Sequence, residues 1–173
     1  MGYFTDGELV VDEFRARWPR NTLKASRYQD INEHWDIEIE YFLFGRKKVD
    51  VKGLKKQNRS DEECDETFHW VEVSSVKGGK RTGSLYGMAD LFAFQTKDYW
   101  VMVEKFKLQE FIEDKCKGKK LEKTKNPYTL YRRDGRKDII IKVKTIDLFY
   151  IADRILLRDK NYKPSDEQTD NEK

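Results

Sequence analysis

Three residues in the first third of the sequence have the types and spacing needed to hold a divalent cation beside a phosphate. Asp36 lies near the start of one strand-like run, and Asp50 and Lys52 lie two residues apart in the next run. Residues two apart on a strand point to the same face, and antiparallel neighbours lie about 5 Å apart. We therefore expect Asp36 to approach Asp50 within reach of one ion.

This set of residues suits the hydrolysis of a phosphodiester. Two carboxylates can bind a hard cation such as Mg²⁺, which prefers oxygen ligands and keeps positions for water and phosphate. Such an ion polarises the phosphate and lowers the pKa of a bound water. An adjacent lysine can orient or deprotonate that water and offset the charge that develops on the phosphate. We expect burial and the charge of the ion to lower the pKa of Lys52.

The same residues have a second interpretation, as a solvated face of charged strands. Against it, the predicted strands place Asp50, Lys52 and Glu72 on polar faces, and Glu38 and Glu40 add negative charge without evident basic partners. Collecting carboxylates in one patch costs electrostatic energy unless a cation is present. A third interpretation retains the site for binding alone. Glu72 is either a third acidic member of the catalytic site or a surface glutamate.

Hydrophobic periodicity predicts the elements that position these residues. The runs 35–44 and 47–54 alternate polar and apolar side chains around Gly45 and predict a hairpin. Further strands are predicted at 68–74, 89–94, 99–103, 128–132 and 138–143, and helices at 8–18, from 106 and at 146–157. Residues 20–34 are too polar for a core element.

These elements predict one domain of the α+β or α/β class, with a central mixed sheet flanked by helices. The domain is expected to span residues 1–160 and to be followed by an acidic, disordered tail at 161–173.

Composition narrows the class of protein. The 173 residues are 39% charged but 13% aromatic, which predicts a folded core. No run approaches the roughly 20 apolar residues of a membrane span, and no secretory signal pattern is evident, so a cytoplasmic location is expected (host cytoplasm if the source is viral). Cys64 and Cys116 are far apart and make no zinc spacing with His34 and His69, which predicts two reduced thiols.

Basic residues are distributed as expected for a protein that binds nucleic acid. The net charge of +3 includes −3 from the last ten residues, so the remaining 163 carry +6. Candidate contacts to nucleic acid are Lys77, Lys80, Arg81, Tyr86, Arg132, Arg133 and Arg136. The first four lie in a glycine-rich stretch whose backbone amides can approach phosphates, and Tyr86 could stack on a base. A flexible solvated loop is the alternative interpretation of that stretch.

Asp36, followed by Asp50-Val51-Lys52 in an apolar strand, resembles the motif of the PD-(D/E)XK nuclease superfamily. The resemblance covers about residues 8–75 and implies a restriction-endonuclease-like αβββαβ core. It also implies that Asp36 and Asp50 bind metal, that the Val51 carbonyl is a further ligand, and that Lys52 is the catalytic lysine. This chain has Trp35 where the motif has a proline.

The resemblance implies a Mg²⁺- or Mn²⁺-dependent endodeoxyribonuclease of phage or bacterial type. DNA is favoured over RNA as the partner, no membrane is involved, and a homodimer is compatible with the small size. The alternative is a non-catalytic nucleic-acid-binding module, or an inactive nuclease fold that works in a complex. Asp30, Asp90 and His34 remain open as members of the site, whereas His69 is expected to be packed.

Overall fold

The computed structural model describes residues 6–18, 21–56, 61–75 and 81–162. The predicted contacts Lys77 and Lys80, and residues 163–173 of the predicted tail, lie outside the described residues. The helices are α1 (Asp6–Ala16), α2 (Arg27–Glu33), α3 (Lys105–Cys116) and α4 (Thr145–Ile151). The strands are β1 (Leu23–Lys24), β2 (Ile37–Glu40), β3 (Arg46–Lys52), β4 (Phe68–Ser74), β5 (Leu91–Gln95), β6 (Tyr99–Glu104), β7 (Leu121–Glu122), β8 (Leu130–Arg132), β9 (Ile139–Lys144) and β10 (Arg154–Leu157). None of the helices within the described ranges is long and apolar enough to cross a bilayer.

These elements form two mixed sheets, so the predicted α+β class is confirmed. The first sheet has the order β1-β2-β3-β5-β6-β10, in which only the β3–β5 pair is parallel. The second sheet has the order β4-β9-β8-β7, in which only the β7–β8 pair is parallel. The predicted hairpin of β2 and β3 is present, with Ile37 opposite Val49.

Two apolar clusters cover the two faces of the first sheet. On one face, Phe14 of α1 packs against Ile37, Val49 and Trp100. On the other face, the cluster joins the two sheets to α3 and α4; its buried members include Phe92, Phe94, Val71, Ile141, Leu108 and Leu148. Because side chains alternate along a strand, Asp50 and Lys52 lie on the face of β3 that is turned toward this second cluster.

The expectation that residues 68–74 continue the sheet after the hairpin was wrong. The strand beside β3 is β5, and all five of its residues are buried. A strand covered on both faces needs a continuous apolar run, which Leu91–Gln95 largely supplies. In contrast, β4 alternates and pairs with β9, in a sheet whose outer face keeps polar and aromatic side chains.

One further expectation is corrected, and the expectation that the polar segment contributes no core element is confirmed for its described residues. The segment 146–157 is not one helix, because α4 ends at Ile151 and the chain then extends as β10 on the edge of the first sheet. The polar segment 20–34 contains α2, which buries none of its residues and begins with a reciprocal capping box of Ser26 and Gln29. That box satisfies two of the free amides of the first turn, so α2 forms without a core face.

Gly83 allows the segment before the short 3-10 helix Ser84–Tyr86 to lie directly on β4. A Cβ at this position would be 2.4 Å from the Glu72 carbonyl oxygen, and both atoms are fixed by backbone. The Gly83 N–H also donates to the Val73 carbonyl at 3.0 Å. The glycine therefore determines how closely this segment approaches Glu72.

We predict that Gly83→Ala lowers the free energy of unfolding by about 3 kcal/mol, because the added methyl group forces backbone apart. Gly118→Ala is the matched control: its φ of +73° strains an alanine, but the site is open, so about 1 kcal/mol is expected. Urea unfolding of both variants measures the difference. Equal losses would show that the close approach at Gly83 is not required.

Candidate active site

The backbone of Asp36 is fixed on both sides at the start of β2. Its N–H donates to the Val49 carbonyl at 2.9 Å, and its carbonyl accepts the Ala25 N–H at 2.8 Å. Its carboxylate Oδ2 accepts the Val51 N–H at 2.6 Å. The side chain is therefore held against β3, beside the residue that follows Asp50.

Asp50 lies on β3 directly before Val51, and it is only 4% exposed. Its Oδ1 lies 2.8 Å from Lys52 Nζ, in an ion pair that leaves the lysine side chain 25% exposed. Its Oδ2 is buried and has no hydrogen-bond partner among the described residues. Extending the β2–β3 register by one residue places Asp50 opposite Asp36. The structure thus brings together the three residues predicted from the motif.

The negative charge of Asp50 acts on the carboxyl group of Asp36. Burial, followed by the negative charge of Asp50, raises the pKa of Asp36 to about 7, although the Val51 N–H and Lys52 act in the opposite direction. Burial alone would lower the pKa of Lys52, but the charge of Asp50 and its hydrogen bond outweigh it, so that the pKa is raised. The predicted lowering depends on the charge of a bound cation and stays a prediction; the protein groups alone raise this pKa, because carboxylates surround the ammonium group.

Glu72 of β4 lies close enough to Lys52 and His34 for their charges to act on its carboxyl group. Burial raises the pKa of its carboxyl group, while the charges of His34 and Lys52 and a hydrogen bond donated by the Ser84 N–H oppose the rise. Asp30 of α2 is a further acidic neighbour, since burial and the charge of Asp50 raise its pKa. Both residues thus belong to the electrostatic surroundings of the aspartate pair.

A cavity of about 410 Å³ opens beside Glu72. Its lining includes His34, Arg81 and Tyr86. His34 ends α2 in the left-handed conformation, with φ of 56°, and its Nε2 lies 3.1 Å from the Thr82 carbonyl. The backbone of Gly87 packs directly against His34 in the lining of this cavity, because a Cβ on Gly87 would be 2.6 Å from the Cβ of His34. The cavity is large enough for part of a nucleotide beside Glu72, and its lining does not include Asp36, Asp50 or Lys52.

Arg81 and Tyr86 form a local group with Glu113 of α3. The guanidinium group of Arg81 lies 5.3 Å from the Tyr86 ring and 3.2 Å from Glu113, and the Tyr86 hydroxyl donates to the same carboxylate at 2.8 Å. Burial and this hydrogen bond raise the pKa of Tyr86 to about 12. The expected base-stacking role of Tyr86 stays a prediction. Glu113 carries no sequence signal that would have linked it to this group.

The second basic group lies between β8 and β9. Arg133 pairs with Asp138, a fully buried carboxylate whose charge also raises the pKa of Glu72. Arg132 and Arg136 are exposed. This turn is therefore on the Glu72 side of the site, although the buried ion pair already uses one of its three arginines.

Asp90, which the sequence left open, and His69, which was expected to be packed, both have structural roles. Asp90 accepts the Lys48 N–H at 2.8 Å and so stabilises the start of the β3–β5 pair. His69 is buried against Phe94, with a ring distance of 5.1 Å, and burial lowers its pKa to about 4. The expectation that His69 is packed is confirmed.

The position of Asp30 was the least accessible to sequence reasoning, because α2 has no apolar face. The capping box at Ser26 and Gln29 was the available signal for this helix. Once α2 is present, Asp30 follows the box by one residue, and His34 ends the helix next to Trp35 and the aspartate pair. The local signal was therefore one of helix initiation rather than hydrophobic periodicity.

The described residues contain no group of three or more His, Cys, Asp or Glu side chains arranged to hold a metal ion. Comparisons with protein-family models, with curated proteins and with solved structures gave no match. Function is therefore inferred from the geometry of the aspartate pair and its neighbours.

The raised pKa of Asp36 predicts a pH-dependent stability. Between about pH 4 and pH 7 the folded chain retains a proton that the unfolded chain releases, so stability falls as the pH rises through this window. At about 1.4 kcal/mol per pKa unit, the loss is at most about 4 kcal/mol. Asp36→Asn lacks the titrating group, and its decline should be much smaller. Urea unfolding in EDTA from about pH 4 to pH 8 measures both profiles.

The matched control is Asp98→Asn, which removes a surface carboxylate paired with Lys160. Its profile should follow that of the parent chain. If Asp36→Asn retains the full decline between pH 4 and 7, the destabilisation comes from other carboxylates and the assignment to Asp36 is wrong.

Proposed function

We propose that the chain is a metal-dependent nuclease that hydrolyses phosphodiester bonds, with DNA as the favoured substrate. The single observation that carries the proposal is the pair of half-buried Asp36 and buried Asp50, which the β2–β3 register places opposite each other, with Lys52 paired to Asp50. Two carboxylates in mutual repulsion destabilise a fold unless something binds between them. The PD-(D/E)XK resemblance and the restriction-endonuclease-like core belong to this proposal.

The residues present fit a small hard cation. Asp50 Oδ2 is buried with no hydrogen-bond partner in the described part of the chain, and burial with the charge of Asp50 makes Asp36 a strained anion. Mg²⁺ binds commonly through one or two carboxylates, with water and substrate phosphates completing the shell. Asp36 and Asp50 would hold Mg²⁺ or Mn²⁺, with the Val51 carbonyl as the further ligand that the resemblance implies. When bound, the ion supplies Lewis-acid polarisation of the phosphate.

The side chains of this pair have separate roles in the proposed reaction. Asp50 holds Lys52 by the 2.8 Å ion pair, which directs a positive charge to the place where a phosphate would lie. There the ammonium group offsets the negative charge that develops on the phosphate and orients the attacking water. Glu72, on whose carboxyl group the charge of Lys52 acts, is a candidate acceptor for the proton of that water. Its raised pKa makes it a better base than an ordinary surface glutamate.

The surroundings of the site support a nucleic-acid substrate. Arg81 lines the cavity beside Glu72, and the exposed Arg132 and Arg136 belong to a turn on the same side. Arginines at such positions bind phosphate oxygens and fix the register of the strand without reading its sequence. A phosphodiester between these basic groups would present its phosphorus to the aspartate pair.

The first test is cleavage of plasmid, single-stranded DNA and a branched junction, each with Mg²⁺, Mn²⁺ or EDTA. Asp50→Asn should lower the cleavage rate by about 1000-fold because it removes the central anionic ligand, and Lys52→Met by about 100-fold because it removes the charge beside the phosphate. Lys47→Met is the matched control, since Lys47 lies on the same strand but on the opposite face, and its rate should equal that of the parent chain.

Cleavage that persists in EDTA, or that survives Asp50→Asn, would contradict the proposal. Binding of DNA that weakens with salt, without metal-dependent loss of any substrate, would replace it with the non-catalytic nucleic-acid-binding module.

A second prediction concerns metal binding in the absence of substrate. At about pH 8, where Asp36 is ionised, Mg²⁺ should stabilise the parent chain, by about 1.4 kcal/mol at a concentration ten times its Kd. Asp50→Asn should show no such gain, whereas the surface variant Asp98→Asn should keep it. Thermal unfolding with and without Mg²⁺ measures the effect. Equal stabilisation of all three proteins would place the ion elsewhere.

A further inference from the structure

A second cavity, of about 660 Å³, lies on the outer face of the second sheet, away from the aspartate pair. Its polar lining residues are Thr67, Lys125, Asn126, Lys142, Lys144 and Thr145. Phe68 and Ile146 supply part of its apolar lining. A cavity with three lysines and no acidic lining residue is electropositive and would attract an anion.

Lys142 is the centre of this cavity. It is only 6% exposed, and its Nζ lies 4.3 Å from the centre of the Phe68 ring and 5.3 Å from the centre of the Trp70 ring. It forms no ion pair with any described residue. Burial lowers its pKa, the negative charge of Asp65 opposes this shift, and the positive charge of Lys125 adds to it.

The two aromatic rings position Lys142 but leave it incompletely satisfied. A cation over an aromatic face gains about 1–2 kcal/mol in a desolvated place, yet a ring offers no lone pair to the three N–H donors of an ammonium group. Lys142 Nζ is not one of the buried atoms without a partner in the described part of the chain, so its donors are open to a ligand that enters the cavity. Asn126 adds a neutral polar side chain beside the ammonium group, whereas the hydroxyl groups of Thr67 and Thr145 already donate to the Asp65 carboxylate and to the Glu66 carbonyl.

The cavity and the candidate active site are connected by one face of one strand. Phe68, Trp70 and Glu72 alternate onto the same face of β4, and Trp70 pairs directly with Lys142 of β9. Four residues of strand separate Phe68 from Glu72, which is about 13 Å at about 3.3 Å per residue. A stacked nucleic-acid strand advances about 3.4 Å per nucleotide, so this distance corresponds to about four nucleotides.

We propose that the Lys142 cavity binds a backbone phosphate of the nucleic-acid substrate, several nucleotides away from the bond that is cut. The strand between the two places would cross Trp70 and Tyr131, whose rings lie 6.1 Å apart on this face. The inference rests on the proposed function for the identity of the ligand, but the contact itself does not require cleavage.

The test is binding of a fluorescein-labelled single-stranded DNA in EDTA, measured by anisotropy over a series of salt concentrations. Lys142→Met should weaken binding about tenfold and reduce the salt slope by about one, because one phosphate contact is lost. Lys125→Gln, at the exposed rim, should weaken binding in the same direction by about threefold. Lys160→Met, a surface lysine outside the cavity, is the matched control, and its Kd should stay within about twofold of the parent value.

Unchanged binding by both cavity variants would overturn the proposal. If Lys142→Met does not fold, as judged by circular dichroism, Lys125→Gln decides, since its side chain is exposed. A second measurement uses inorganic phosphate as the ligand and thermal unfolding as the readout. If phosphate raises the Tm of the parent chain but not of Lys142→Met, while DNA affinity is the same in both, the cavity binds a small anion and the strand contact is wrong. The parent chain could also prove unable to cut any substrate while the cavity variants still bind DNA more weakly than the parent. That result would support the phosphate contact and reject the nuclease activity.

Discussion

The hydrogen bond from the Val51 N–H to the Asp36 carboxylate is the constraint on which the candidate site depends. It holds one carboxylate against β3 at the point where Asp50 is buried, and the β2–β3 register leaves neither residue free to move away. Like charges held this close raise the pKa of Asp36. Lys52 neutralises only part of this negative charge, because a single ammonium group faces two carboxylates. The fold therefore maintains an electrostatic imbalance at one place, which a divalent cation would correct.

The arrangement of the two sheets explains why this excess of negative charge lies beside a cavity that a ligand can enter. The parallel neighbour β5 buries the centre of β3, while β4 leaves the hairpin and forms a second sheet with β9. The aspartate pair thus lies on the hairpin of the first sheet, and Glu72 of the second sheet is near enough for the charge of Lys52 to act on it. The close contacts at Gly83 and Gly87 bring the intervening segment against both walls. Without that approach, the cavity beside Glu72 would be wider and its arginine further from the acidic residues.

Much of the hairpin and its polar face could be predicted from the sequence, because strand alternation is a local property. Asp50 and Lys52 share a face whatever the remainder of the chain does. Sheet membership was not accessible in the same way: β4 and β5 both have strand composition, and only the burial of both faces of β5 places it beside β3. The segment 146–157 has one helical pattern, yet β6 offers an open edge that its second half pairs with. Tertiary pairing outweighs local propensity in both cases.

The order of strands also bears on how the chain assembles. Five residues separate β2 from β3, so the hairpin that carries Asp36 and Asp50 closes a short loop at small entropic cost. The β3–β5 pair joins Val49 to Leu91, and the β4–β9 pair joins Phe68 to Lys144, at separations of 42 and 76 residues. Long-range pairings of this kind slow folding. The aspartate pair is therefore encoded in a local contact, whereas the face that carries Trp70 and Lys142 exists only after the distant halves of the chain have met.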